Sequence, residues 1–214
     1  MKTKAIILAG ALLATLNVLN AQEIEDPRTN IIFGAKAGLN ISNVYDVKAQ
    51  NFVADPKAGF AGGAFLGIPI GKYLGIQPEI LFSQKGYQSS GTMLGEPYSD
   101  IRTTNFLDIP LQLQFKPFKM LTILGVIQYS YLLSQTDAYT FGSNSTAQEQ
   151  QFKNDNVRRN IMGAVLGVDL NIKRFIFSAK YFLDLQNNAG DGTSSTPRYK
   201  NCWFQATVGF RIIQ

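Results

Sequence analysis

Strict alternation of apolar and polar residues from Leu107 to Lys116 is the feature that most constrains the fold. Leu, Ile and Phe occupy the odd positions, and Asp, Pro, Gln and Lys occupy the even ones. Successive side chains of a β-strand point to opposite faces, so the segment predicts a strand with one apolar and one polar face. The alternation alone does not decide whether the apolar face meets a protein core or lipid.

The same alternation recurs along the chain and predicts eight strands. Short turns and long polar connections alternate strictly between them. The predicted strands are Ile31–Ser42, Ala58–Ile70, Tyr73–Tyr87, Asn105–Pro117, Met120–Ser134, Asn160–Asn171, Arg174–Gln186 and Asn201–Ile213. The predicted long loops are Asn43–Lys57, Gln88–Thr104, Gln135–Arg159 and Asn187–Lys200.

This loop pattern favours lipid as the environment of the apolar face. Outer-membrane barrels have short periplasmic turns, long external loops and an even strand number. The predicted strands exceed the ~5–6 residues usual in soluble proteins and suit a tilted membrane crossing of ~9–11 residues. We therefore predict an all-β, eight-stranded, antiparallel, up-and-down transmembrane β-barrel over residues 31–214. A secreted sandwich or lipocalin-like barrel is the alternative, although it does not require alternating loop lengths.

The N-terminus carries an export signal. Lys2 and Lys4 precede an apolar run from Ala5 to Leu16, which predicts a signal peptide over residues 1–21 and a short periplasmic lead-in over residues 22–30. Removal of the two lysines lowers the formal charge from +5 to +3. Export and this modest charge argue against a nucleic-acid partner. The predicted location is the bacterial outer membrane.

Charged residues on the polar faces define a candidate site in the lumen. Eight strands enclose a space just wide enough for side chains to fill, so buried charges there are expected to pair. We expect a salt-bridged plug, and a narrow ion or proton path is the functional alternative. The residues of this predicted network are Lys36, Glu79, Lys85, Asp108, Lys116, Asp169, Lys180, Asp184 and Arg211.

Three prolines conflict with uninterrupted strands. Proline has no N–H to donate, so we expect Pro69, Pro78 and Pro110 to lie at bulges or near a rim.

Residue types that usually carry chemistry are scarce. The chain has no histidine and one cysteine, Cys202, which we predict to be a small apolar residue facing lipid near the outer rim. Without a histidine base or a cluster of metal ligands, we predict no enzymatic activity, no metal and no cofactor.

Several motifs resemble the PorT-type outer-membrane β-barrel family, which is similar in architecture to small OmpX/OmpA-like barrels. They are FGAKAGLN (33–40), IQPEILFSQKGY (76–87), FLDIPLQLQFKP (106–117), LGVIQYSYLLS (124–134) and FQATVGFRI (204–212). The resemblance implies the barrel fold and an accessory role in protein export.

Two other roles fit the same barrel. The long loops are suited to surface adhesion or binding, since binding residues concentrate on loops held by a rigid scaffold. A purely structural role in the outer membrane is the third. Expected partners are outer-membrane lipid, lipopolysaccharide and other secretion or envelope proteins. The phosphates of lipopolysaccharide could pair with basic loop residues such as Arg158 and Arg159. The predicted barrel is a monomer.

Overall fold

A computed structural model describes residues 26, 28–48, 54–142, 144–149, 157–189 and 198–213. The predicted signal peptide and the start of the lead-in lie outside these residues. The described chain forms β1 (Ile32–Lys48), β2 (Asp55–Pro69), β3 (Leu74–Met93), β4 (Glu96–Phe118), β5 (Leu121–Phe141), β6 (Asn144–Glu149), β7 (Asn160–Ile172), β8 (Phe175–Asp184) and β9 (Arg198–Ile213). No helix in this part of the chain is long and apolar enough to cross a membrane.

Eight of the strands close into a ring. Each ring strand pairs antiparallel with its neighbours in the order β1–β2–β3–β4–β5–β7–β8–β9, and β9 returns to β1. Leu39 at the centre of β1 faces Phe60 of β2 on one side and Ala206 of β9 on the other. The predicted eight-stranded, up-and-down barrel is confirmed, and β6 is an additional strand that pairs with β5 outside the ring.

The two faces of each strand differ sharply in exposure. On β4, Ile109, Leu111, Leu113 and Phe115 are exposed, whereas the polar residues between them are buried. The same division holds around the ring, where Leu, Ile, Val and Phe point outward and form a continuous apolar outer surface. A water-soluble protein would have to solvate this surface, so the surface indicates a hydrocarbon environment.

The strands continue beyond the predicted boundaries at the end of the barrel with long connections. The segment Gln88–Thr104, predicted to be a loop, instead forms a hairpin in which β3 pairs with β4 as far as Met93 and Glu96. Leu94 and Gly95 make its turn with positive φ angles of 55° and 84°. Outside the apolar surface neither face must be apolar, so these strand ends carry no alternation that a sequence pattern can detect.

The other predicted loops are also partly strand. The Gln135–Arg159 segment holds the end of β5 and all of β6, while β1 and β2 shorten the Asn43–Lys57 loop from both sides. The last loop, Asn187–Lys200, loses its final residues to β9.

The expected placement of the prolines is correct for Pro69, which ends β2 at the rim, and wrong for Pro78 and Pro110. Pro78 pairs with Leu111, and direct pairing between β3 and β4 resumes at Leu81 and Asp108. The β4 register beside Pro110 shows no bulge, and Pro110 pairs with Gln128 of β5. The prolines are accommodated by this short gap in one ladder rather than by a bulge, so the missing donors disturb few hydrogen bonds.

Substitution of an outward residue tests whether the apolar surface meets lipid. Leu166 lies in the middle of β7 and is 66% exposed, whereas Ile172 ends the same strand. We expect Leu166→Arg to cost about 2–4 kcal/mol of folding free energy in a bilayer and Ile172→Arg about 0–1 kcal/mol, because arginine is least tolerated at mid-membrane. Urea unfolding in lipid vesicles measures both. Equal costs at the two positions would contradict a membrane crossing centred on Leu166.

Candidate functional site

The middle of the lumen is held by one carboxylate shared between two ammonium groups. Glu79 on β3 accepts hydrogen bonds at Oε1 from Lys36 Nζ at 2.6 Å and from Lys180 Nζ at 2.8 Å. Gln77 Nε2 donates to the same oxygen at 2.6 Å. All of these side chains are buried. The cluster ties β1, β3 and β8 together across the interior.

A second ion pair lies nearer the end with long connections. Lys85 Nζ is 3.0 Å from Asp108 Oδ1 and lies 3.7 Å from the ring centroid of Trp203 and 4.3 Å from that of Phe106. Phe182 stacks on Trp203 with centroids 4.8 Å apart. The ammonium is therefore held by one carboxylate and by aromatic faces, which attract cations through their quadrupoles.

The remaining predicted lumen charges make no ion pair among the described residues. Asp184 accepts a hydrogen bond from Asn201 Nδ2 at 2.6 Å. Lys116 donates to the backbone oxygen of Arg28 at 3.5 Å, and Arg211 donates to the backbone oxygen of Lys173 at 3.0 Å and to the Asn171 side chain. Asp169 Oδ1 has no hydrogen-bond partner.

All nine predicted residues thus point inward and are buried, but the barrel brings five of them into two ion-pair clusters and leaves four outside those clusters. Side-chain amides that the charge pattern did not single out form further hydrogen bonds across the lumen. Gln205 donates to Asn40, Asn40 to Ser83, and Gln114 to Gln77, at distances of 3.0, 2.9 and 2.6 Å. The same alternation that places the charges also places these amides on inner faces.

A row of three polar side chains on β3, β4 and β5 marks the upper limit of the apolar outer surface there. Gln84 Nε2 donates to Asn105 Oδ1 at 3.2 Å, and Asn105 Nδ2 donates to Ser134 Oγ at 2.9 Å. These three residues continue the outward faces of β3, β4 and β5 at the point where the unbroken run of apolar side chains ends. The strand segments beyond them lie outside the hydrocarbon.

Just above this polar row, Arg102 on β4 contacts side chains from three other strands. Arg102 binds Asp137 through two hydrogen bonds of 2.6 and 2.8 Å and lies 5.6 Å from the ring centroid of Tyr87 and 6.0 Å from that of Tyr199. Burial raises the pKa of Tyr87 and that of Tyr199, so both phenols remain neutral at neutral pH. Arg102 was predicted to lie in the loop Gln88–Thr104, and no sequence pattern indicated its ion pair with Asp137.

The antiparallel pairing of β7 with β8 continues beyond the strand ends at the same end of the barrel. Val157 pairs with Ala189, and Arg158 N donates to Asn188 O at 2.7 Å. Val157 packs on a buried apolar cluster of Phe106, Leu132 and Ile161. Val157 therefore extends the apolar contacts at this end of the lumen.

The other end of the barrel is partly covered by the lead-in. Arg28 binds Asp26 through Nε at 2.9 Å and through its terminal nitrogen at 2.6 Å. The Arg28 guanidinium lowers the pKa of Asp26 to about 2. Among the described residues, no group of three or more Cys, His, Asp or Glu side chains is arranged to hold a metal ion.

A closed ring with an apolar exterior and a polar, charged interior defines a transmembrane β-barrel of the outer-membrane type. Residues 20–190 match the family described as outer membrane protein beta-barrel domain. The chain belongs to this family, and it is an outer-membrane protein.

Solved structures of small outer-membrane barrels are similar to this chain. They include Ail, the attachment invasion locus protein of Yersinia pestis (TM-score 0.47, 11% identity, covering 84% of this chain and 98% of Ail). Neisserial surface protein A (NspA) has a TM-score of 0.44 and 12% identity, with coverage of 84% and 97%. OprG from Pseudomonas aeruginosa has a TM-score of 0.42 and 11% identity, with coverage of 89% and 100%. Comparison with curated proteins finds no match.

The shared carboxylate should be the most sensitive lumen position. Glu79→Gln leaves two buried ammonium groups without their counterion, and breaking a buried ion pair in this way costs about 3–5 kcal/mol. The triple variant Glu79→Gln, Lys36→Met, Lys180→Met removes the uncompensated charges and should recover most of the loss. Urea unfolding of both variants in vesicles measures the difference. A triple variant no more stable than the single one would show that the ion pairing is not what Glu79 contributes.

The Asp26–Arg28 pair should contribute stability that depends on acid pH. Because the pKa of Asp26 is about 2 in the folded protein and 3.8 ordinarily, the contribution is complete above pH ~4 and is lost as pH falls toward 2. Asp26→Asn removes it. We expect the stability difference between wild type and Asp26→Asn to be constant from pH 7 to 5 and to shrink between pH 4 and 2. A difference that persists at pH 2 would contradict an ionic origin.

Proposed function

We propose that this outer-membrane barrel is a non-enzymatic surface-binding module that acts through a sheet projecting outside the cell. The observation that carries the proposal is the continuation of β3, β4 and β5 past the polar row of Gln84, Asn105 and Ser134, with β6 added at the edge of β5. The β3 segment from Gly86 to Met93 extends this sheet by about 24 Å at ~3.4 Å per residue. A barrel that serves only to fill the membrane has no need of such an extension.

One face of the projecting sheet carries aromatic side chains. Tyr98 pairs directly with Phe141, and Tyr139, two residues before Phe141, pairs with Asp100. These aromatic residues therefore share one face, and Tyr139 is 40% exposed. Exposed tyrosines supply large, rigid contact area and a polar tip, which is why they are enriched at binding surfaces. We call Tyr98, Tyr139 and Phe141 the aromatic face.

The filled interior supports a binding role over a pore. Two ion-pair clusters, stacked aromatics and the buried apolar cluster of Phe106, Leu132 and Ile161 occupy the lumen of an eight-stranded barrel. The lumen carboxylates Glu79 and Asp108 are engaged by lysines, and the chain has no histidine to act as a base, which supports a non-enzymatic role. We propose that the barrel is a monomer in contact with lipid and with lipopolysaccharide.

An accessory role in protein export is the second candidate. It is supported by the resemblance of the strand motifs at residues 33–40, 76–87 and 106–117 to the PorT-type family. Those motifs lie within the barrel wall, whereas the aromatic face lies on the part of β4 and β5 that leaves the membrane. The two functions therefore depend on different parts of the chain and can be separated.

The aromatic face can be tested on intact cells. The variant Tyr98→Ser, Tyr139→Ser, Phe141→Ser removes it, and the variant Ile101→Ser, Ala138→Ser, Thr140→Ser changes the opposite face of the same strands. We expect the first variant to lower adhesion to mucin-coated surfaces at least tenfold and the second to leave adhesion unchanged, with albumin-coated surfaces as the blank. Equal adhesion by wild type and a deletion strain would overturn the binding role.

Secreted proteins distinguish the export role. A deletion strain is compared with its parent by quantifying periplasmic and secreted proteins. We expect matching profiles if the protein acts as a binding module. If cargo accumulates in the periplasm of the deletion strain, and if the aromatic-face variant restores its secretion, the protein is instead assigned to export.

A further inference from the structure

A small cavity lies at the end of the barrel that holds the short turns. It has a volume of about 20 Å³, enough for one water-sized particle, and lies next to the lead-in. Four basic side chains and one acidic side chain are among its lining residues: Arg28, Lys116, Lys119, Arg211 and Asp169. In outer-membrane barrels this end faces the periplasm.

Lys116 contributes a buried positive charge to this cavity without a matching carboxylate. The residue is 4% exposed, and its ammonium makes one long contact of 3.5 Å, to the backbone oxygen of Arg28. A lysine ammonium has three hydrogens to donate, and leaving them unsatisfied in a buried position is costly. Two acceptors of the lining, Gln114 Oε1 and Asp169 Oδ1, also lack hydrogen-bond partners, and neither is bonded to Lys116. The space beside Lys116 is therefore suited to an additional acceptor.

Arg211 approaches the same cavity from β9. It is 2% exposed, and its two terminal nitrogens donate to Lys173 O and to the Asn171 side chain. Its Nε atom has no hydrogen-bond partner. Arg211 thus adds a second buried donor to the residues of the lining, and the donor belongs to a guanidinium, which keeps its charge at neutral pH.

The charges of the lining do not balance. Arg28 is neutralised by Asp26, which leaves Lys116, Arg211 and the rim residue Lys119 against the single carboxylate of Asp169. Asp169 is itself within electrostatic reach of Lys36 and Lys180 in the central cluster. The lining of the cavity therefore keeps a net positive charge.

The geometry points to a binding site for one small anion between Lys116 and Arg211. The cavity volume limits the ligand to a compact negative group, either a free halide or a single carboxylate presented from the periplasm. A bound anion would accept hydrogen bonds from Lys116 Nζ and Arg211 Nε and would offset the excess charge. This site is independent of the aromatic face at the opposite end of the barrel.

Anion-dependent stability tests the site. The purified barrel is unfolded by urea in nonionic micelles at constant ionic strength, with chloride, acetate or the bulky sulfonate buffer anion MES as the sodium salt, and Trp203 fluorescence reports unfolding. At ten times its dissociation constant, a ligand that binds the folded state alone raises the folded-to-unfolded ratio about tenfold. We expect chloride or acetate to give this increase relative to MES. A larger response to chloride identifies a free halide, and a larger response to acetate identifies a carboxylate.

Matched variants locate the response. Lys116→Met and Arg211→Met should each abolish the anion dependence, Lys116→Arg should keep it, and Lys72→Met, on an exposed turn of the same rim, should keep it fully. A wild type that unfolds identically in all three anions would overturn the proposal, since the cavity then holds water alone. A Lys116→Met variant that responds like wild type would also overturn it.

A second measurement does not require any variant to fold. Crystals of the wild-type barrel grown with bromide in place of chloride are expected to show anomalous density within hydrogen-bond distance of Lys116 Nζ. If that density is absent and acetate also has no effect on unfolding, the proposed anion site is overturned.

Discussion

Closure of the backbone hydrogen-bond network is the constraint on which the rest of this structure depends. Hydrocarbon offers no partner for a free N–H or C=O group, so a sheet that crosses a membrane must return to its own first strand. Pairing of β9 with β1 meets this requirement. Once the ring is closed with eight strands, its interior is narrow, and the polar side chains of every strand must satisfy one another there. The ion pairs of the lumen are a consequence of this geometry.

The sequence predicted the parts of the fold that the membrane dictates. Within the apolar outer surface each position is forced to be lipid-facing or lumen-facing, so Ile109, Leu111 and Leu113 could be assigned outward and Asp108 inward from alternation alone. Beyond the membrane that restriction ends. The outer halves of β3 and β4 remain paired without any apolar pattern, and the sequence therefore described them as loop.

Pairing within the lumen was beyond sequence analysis for a different reason. Glu79 and Lys180 are separated by 101 residues and lie on strands that are not neighbours in the ring. Their contact depends on the relative height of all strands, which a residue pattern does not encode. Lys36 and Lys116 occupy similar positions in the alternation, yet Lys36 is paired with a carboxylate and Lys116 contacts a backbone oxygen. The burial of the charged lumen residues was predictable from the sequence, whereas their ion-pair and hydrogen-bond partners were not.

The adjacent residues Cys202 and Trp203 show how alternation fixes the register of the last strand. Cys202 lies on the outward face with Phe204, while Trp203 is 1% exposed and stacks inside on Phe182. Sliding β9 by one position would exchange the two faces along its whole length. Thr207 and Arg211 would then enter the lipid, and Val208 and Phe210 would enter a polar lumen. The alternation along β9 therefore selects one register for the strand that closes the ring.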